Sequence, residues 1–88
     1  MVIVITGGTK GIGKAIAQKF AGEDFDIAIC ARTTADLKAV KKELLKINPL
    51  NEILAKKVDM QSKKQVEKFA EKILDKWGGI DVLVNNAA

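Results

Sequence analysis

The sequence predicts an α/β fold of three layers, a parallel sheet with helices on both faces, and three observations carry that prediction. Apolar runs alternate with stretches of helical apolar periodicity along all 88 residues. The glycine-rich segment Gly7-Gly8-Thr9-Lys10-Gly11-Ile12-Gly13 joins the first run to the first periodic stretch. The first two runs are continuously apolar, as strands covered on both faces require.

Val2 to Ile5 form the first strand, and the helix from about Gly11 to Ala21 turns Ile12, Ala15, Ile16 and Phe20 toward the sheet, with Gly22 as its stop. Asp26 to Ala31 is the second strand. Thr33, followed three residues later by Asp36, caps a second helix whose Leu37, Val40, Leu44 and Leu45 recur at helical spacing and which ends before Pro49. Ile53 to Val58 is a weaker third strand because Lys56 and Lys57 interrupt it, and such lysines suit a sheet edge. Ser62 and Gln65 repeat the capping signature ahead of Val66, Phe69, Ala70, Ile73, Leu74 and Trp77, which Gly78-Gly79 closes. Ile80 to Val84 is the fourth strand, followed by Asn85-Asn86-Ala87-Ala88. Right-handed crossovers then give the strand order 3-2-1-4, with the first two helices on one face and the third on the other. The chain reverses direction between strands 1 and 4, which opens a crevice beyond their carboxyl ends with the glycine segment at its mouth.

Composition narrows the function classes. At 88 residues the chain is at most one domain, able to bury roughly 60 to 65% of its unfolded surface. The net charge of +4 comes with Lys38, Lys41, Lys42 and Lys46 on the outer side of the second helix, interspersed with Asp36 and Glu43, an ordinary solvated face. With three Phe, one Trp and no Tyr, the chain lacks the aromatic platforms of a nucleic-acid groove. No charged leader precedes the first strand and no apolar run approaches the ~20 residues of a membrane span, so a cytoplasmic protein with no membrane partner is expected. The single cysteine, Cys30, lies within an apolar strand and forms no internal disulfide.

A glycine loop between a strand and a helix presents backbone N–H groups and a positive helix end to an anion, here a nucleotide's phosphates. Two readings of the loop compete. Gly8 to Lys14 satisfies most of the loop that wraps nucleoside triphosphates, yet Ala15 stands where the Mg²⁺-binding hydroxyl belongs and no strand ends in a metal-holding acid. In the other reading Gly7 makes the turn, Gly11 admits a pyrophosphate and Gly13 lets helix meet strand, the mechanics of a dinucleotide site.

Thr6-Gly7-x-x-x-Gly11-Ile12-Gly13, Asp59 after the third strand and Asn85-Asn86-Ala87 after the fourth together resemble the short-chain dehydrogenase/reductase family. The resemblance spans the whole chain and matches the amino-terminal part of that family's Rossmann domain. It implies an NAD(P)-dependent oxidoreductase that moves hydride between the nicotinamide and a carbonyl or alcohol, in a family whose intact members are often tetramers. Carried over by position, Gly7, Thr9, Lys10, Gly11, Ile12 and Gly13 line the adenosine and pyrophosphate part of the cofactor. Asp59 accepts from the adenine amino group with Met60 beside the ring, Asn86 and Ala87 contact the ribose region, and Asn85 ties strands together. Without the resemblance, Asp59 reads as a turn residue before Ser62. Ala88 departs from the family's usual Asn-Asn-Ala-Gly.

An NAD site places a carboxylate about 20 residues beyond the loop, at the end of the second strand, whereas an NADP site places a cation there. This chain reads Cys30-Ala31-Arg32-Thr33. Arg32 offers a planar fork to a 2′-phosphate, Thr33 a hydroxyl and Lys10 a second positive charge from across the crevice, so NADP(H) is expected over NAD(H).

The family's chemistry uses a Tyr, a Lys four residues later and a Ser. The chain has no Tyr, and its only Ser is the helix cap Ser62. These 88 residues are therefore expected not to turn over substrate alone. Strand Ile80 to Val84 is expected to form an exposed apolar edge that invites self-association or complementation. The alternatives are a noncatalytic dinucleotide-binding or interaction module and a P-loop nucleotide hydrolase.

Overall fold

A computed structural model describes residues 1–86 of the chain. Seven elements follow one another: β1 (Val2–Thr6), α1 (Gly11–Ala21), β2 (Asp26–Ala31), α2 (Thr34–Ile47), β3 (Ile53–Lys57), α3 (Lys63–Trp77) and β4 (Val82–Asn85). The strands form one sheet of order β3-β2-β1-β4. Every pairing is parallel, with Ile3 opposite Ile27 and Val82, and Ile27 opposite Ile53.

Because successive strand residues point to opposite faces, each inner strand feeds two cores. Ile3, Ile5, Ile27 and Ile29 meet Ala17 and Ala21 of α1 and Leu37, Val40 and Leu44 of α2. On the other face Val4, Ala28 and Cys30 meet Val58 together with Phe69 and Ile73 of α3. The division of helices between the faces is the one the crossovers require.

Boundaries differ in ways the contacts explain. β4 begins at Val82, not Ile80, because Asp81 is spent on fixing the start of β1. Its carboxylate accepts from the Val2 N–H at 2.7 Å, and its own N–H donates to the Val2 carbonyl at 2.9 Å. β1 gains Thr6, whose hydroxyl donates to Asn85 Oδ1 at 3.0 Å and accepts from the Asn86 N–H at 2.9 Å. β3 ends at Lys57, although the Val58 N–H still reaches the Ala31 carbonyl.

Two apolar stripes are narrower than the sequence suggests. In α1 the buried positions are Gly13, Ala17 and Ala21, while Ile12 is 73% exposed and Ala15 is also exposed. Close backbone contact at Gly13 fixes the rotation of α1 and turns Ile12 outward. In α3 Phe69 and Ile73 are buried and Val66 and Trp77 pack beside them, whereas Ala70 and Leu74 face solvent.

Two caps also resolve. Ser62 accepts from the Gln65 N–H at 3.3 Å, but Gln65 Oε1 accepts from Asp59 N–H at 2.8 Å rather than from Ser62. The Ser62 N–H is already donated to the Asp59 carbonyl. Thr33 occupies the N-cap of α2 without a side-chain bond to it.

Candidate functional site

The glycine segment is built by three different constraints. Gly7 has φ +70°, a left-handed conformation that costs glycine little and other residues more. Gly13 has no room for a side chain, since a Cβ there would lie 2.3 Å from the Gly7 carbonyl oxygen. Gly8, which the motif leaves unspecified, is wedged over β2, where a Cβ would lie 2.7 Å from Ile29 Cγ2. Asn86 closes the arrangement by donating Nδ2 to the Gly7 carbonyl at 3.2 Å.

The result is an α1 amino terminus set against the sheet with its first turn open. Lys10 is the N-cap and supplies no side-chain bond, and no acidic residue occupies the first turn. The first N–H groups of a helix have no intrahelical acceptor. A Cβ on Gly11 would meet nothing within 4 Å among the described residues. An anion can approach this backbone closely.

Beside it lies a cleft of about 560 Å³. Its wall draws on residues that follow each strand: Gly7, Thr9 and Lys10 after β1, Arg32 and Thr33 after β2, Asp59 and Met60 after β3, and Asn86 after β4. These eight sequence-selected positions therefore come together. Gly11, Ile12 and Gly13 do not line the cleft: Gly11 and Ile12 are exposed at the helix start and Gly13 is packed behind Gly7. Ala87 lies outside the described residues.

The wall also contains residues that motif reasoning passed over, namely Cys30, Ala31, Asp36, Val58 and Gln61. All but Asp36 lie at the strand ends or in the loop after β3, so the carboxyl-end rule could have named them. Asp36 lies in the first turn of α2, and its carboxylate meets Lys10 Nζ at 3.7 Å. It is not part of an ordinary solvated face, and neither is Glu43, whose oxygens lie 3.0 and 3.4 Å from Lys14 Nζ. Both carboxylates tie α2 to the start of α1. Lys14, the lysine of the nucleoside-triphosphate reading, is thereby held against α2 and is absent from the cleft wall.

The loop after β3 is shaped by Asp59. Its Oδ1 accepts from the Gln61 N–H at 2.9 Å, so the residue serves as a turn former while facing the cleft. Met60 lies beside Cys30, with sulfur atoms 3.8 Å apart. Burial pushes the Cys30 thiol above its ordinary pKa, partly offset by a backbone hydrogen bond from Gly7. Among the described residues no group of His, Cys, Asp and Glu could hold a metal ion, and no helix is long and apolar enough to cross a membrane.

The sequence pattern described as short chain dehydrogenase matches residues 1–88. An uncharacterized oxidoreductase of Mycobacterium tuberculosis is 36% identical over 85 residues, covering 97% of this chain and 34% of that protein. Among solved structures, YwfH, an NADPH-dependent reductase involved in bacilysin biosynthesis, superimposes with a TM-score of 0.94 at 31% identity, over 99% of this chain and 37% of that one. L-Sorbose reductase from Gluconobacter frateurii, complexed with NADPH and L-sorbose, gives 0.92 at 37% identity, over 99% and 33%. The chain spans about a third of the length of each of these three relatives.

Proposed function

The chain belongs to the short-chain dehydrogenase family, and on that premise we propose that it forms the NADP(H)-binding portion of an oxidoreductase acting on a carbonyl or alcohol. One observation carries the reading: Lys10, Arg32, Thr33, Asp59, Met60 and Asn86 converge on one cleft beside an uncapped helix start. The fit is physical as well as positional. Gly11 leaves the backbone bare where a pyrophosphate would approach, and no described side chain competes for the α1 amino terminus.

In this reading Gly7, Thr9, Gly11 and Ile12 hold the pyrophosphate and adenosine while Gly13 lets α1 sit close against Gly7, Asp59 accepts from the adenine amino group, and Met60 lies beside the ring. Asn86 and Ala87 contact the ribose. Arg32, Thr33 and Lys10 hold the 2′-phosphate, which favours NADP(H) over NAD(H). The bound dinucleotide supplies the hydride. The work of these 88 residues is to bind and orient it, since they contain no Tyr and Ser62 is engaged in the α3 cap.

Arg32→Asp tests the assignment by fluorescence titration of NADPH and NADH. NADPH affinity is expected to fall roughly tenfold or more, the worth of a lost charge-assisted hydrogen bond, with NADH affinity held or improved. Unchanged preference would remove Arg32 from the site.

A second reading, an interaction module that associates through β4, has its own observation. Among the described residues β4 is paired only with β1, and Leu83 on it is 64% exposed.

A further inference from the structure

We propose that Asp36 is a specificity-determining residue of the cleft, a built-in counterion that competes with a 2′-phosphate for Lys10 and so limits the discrimination between phosphorylated and unphosphorylated dinucleotides. The inference rests on the cofactor reading above and on one juxtaposition: Asp36 Oδ2 lies 3.7 Å from Lys10 Nζ, and both residues line the cleft with Arg32 and Thr33.

Charge explains the consequence. Arg32 and Lys10 alone would give this end of the cleft two positive charges, an arrangement that strongly selects a dianionic phosphate. The wall also contains Asp36 and Asp59, so its formal charges cancel. Lys10 carries an 81% exposed side chain and has no other ion-pair partner among the described residues, so its ammonium leans on α2 through Asp36. An arriving 2′-phosphate must share that ammonium and accept a carboxylate as its neighbour. A ribose 2′-hydroxyl meets neither cost. Asp36 thus weakens the binding of the phosphorylated ligand selectively, and Asp36→Asn keeps the shape while removing the charge.

The probes are 2′,5′-ADP and 5′-AMP, which differ by the phosphate in question, titrated against the chain with its fold monitored by circular dichroism. Asp36→Asn is expected to tighten 2′,5′-ADP about three- to tenfold, as a single partly screened charge at this range does, and to leave 5′-AMP within about twofold. The gain is expected to shrink in a Lys10→Met background, and Asp36→Glu is expected to behave as the parent. If Arg32→Asp abolishes the preference for 2′,5′-ADP but Asp36→Asn leaves it unchanged, the cofactor reading stands and the role of Asp36 is overturned. If neither probe binds the folded parent chain, the cofactor reading fails and the role of Asp36 fails with it.

Discussion

Gly13 is the residue on which the site's shape depends most directly. It was legible in the sequence as the glycine that lets helix meet strand, and the structure supplies the reason in one distance, 2.3 Å from a would-be Cβ to the Gly7 carbonyl. Relief would require α1 to move away from β1 and to break the Asn86 bond to the same carbonyl. Gly13→Ala is therefore expected to cost about 2 kcal/mol or more, at the upper end of overpacking effects. Urea denaturation checks it, and an unchanged midpoint would mean that the loop yields without strain. Gly8 is confined too, less tightly, by the Ile29 side chain at 2.7 Å, yet nothing in the local pattern distinguished it from a spacer. Its neighbour comes from β2 and is set by sheet register. Asp36 was hidden for the same kind of reason, because its place near Thr33 suggested a cap and its actual partner, Lys10, is brought to it by the α1–α2 packing.

Elements were read well in kind and less well in orientation. All seven occur where apolar period and punctuation place them, since burial on a sheet selects that period whatever the detailed packing. The stripe of α2 was legible too, with Leu37, Val40 and Leu44 buried as the spacing indicates, whereas those of α1 and α3 are narrower than the sequence suggests. The apolar pattern of α1 allowed Ile12 to face the sheet, and close approach at Gly13 turned it to solvent. At α3 the cap was visible in the sequence, but the reach of Gln65 to Asp59 was not, because it depends on the turn that precedes the helix. Ser62→Ala should cost about 1 kcal/mol through the lost bond to Gln65, lowering the melting temperature by roughly 4 to 8 °C for a domain of this size. An unchanged melting temperature would show that the Gln65–Asp59 bond holds the turn unaided. β3, by contrast, carries Lys56 and Lys57 at an open edge, a placement that discourages strand addition.

At the scale of the molecule, the two edges of the sheet are unlike. In the sheet of the described residues β3 carries lysines on one side, whereas on the other β4 carries Leu83 exposed, with Ile80 42% exposed just before it. α3 packs over Val4, Ala28 and Cys30 of the inner strands and leaves that face of β4 bare. If β4 is an association surface, concentration-dependent self-association is expected in sedimentation velocity. Leu83→Lys is then expected to reduce it, as a charge on an edge strand opposes pairing. Equal sedimentation of both proteins as monomers would retire the interaction reading and leave the cofactor reading untouched. The cleft belongs to this scale too. Its mouth was expected between the ends of strands 1 and 4, and its wall reaches across β2 to the loop after β3, taking in Arg32, Thr33, Asp59 and Met60 as the sequence indicates, because the strands' carboxyl ends all open on the same side.

The sequence by itself determined the order and type of the elements, the strand order, the glycine loop and the family, because each follows from local periodicity, the handedness of crossovers or a contiguous motif. Only the tertiary structure decided that Ile12, Ala15, Ala70 and Leu74 turn to solvent, that Gly8 is crowded by Ile29, that Lys14 is held by Glu43 away from the cleft and that Asp36 stands beside Lys10. Those facts depend on distances between residues far apart in the chain. Packing sets such distances, and no local pattern encodes them.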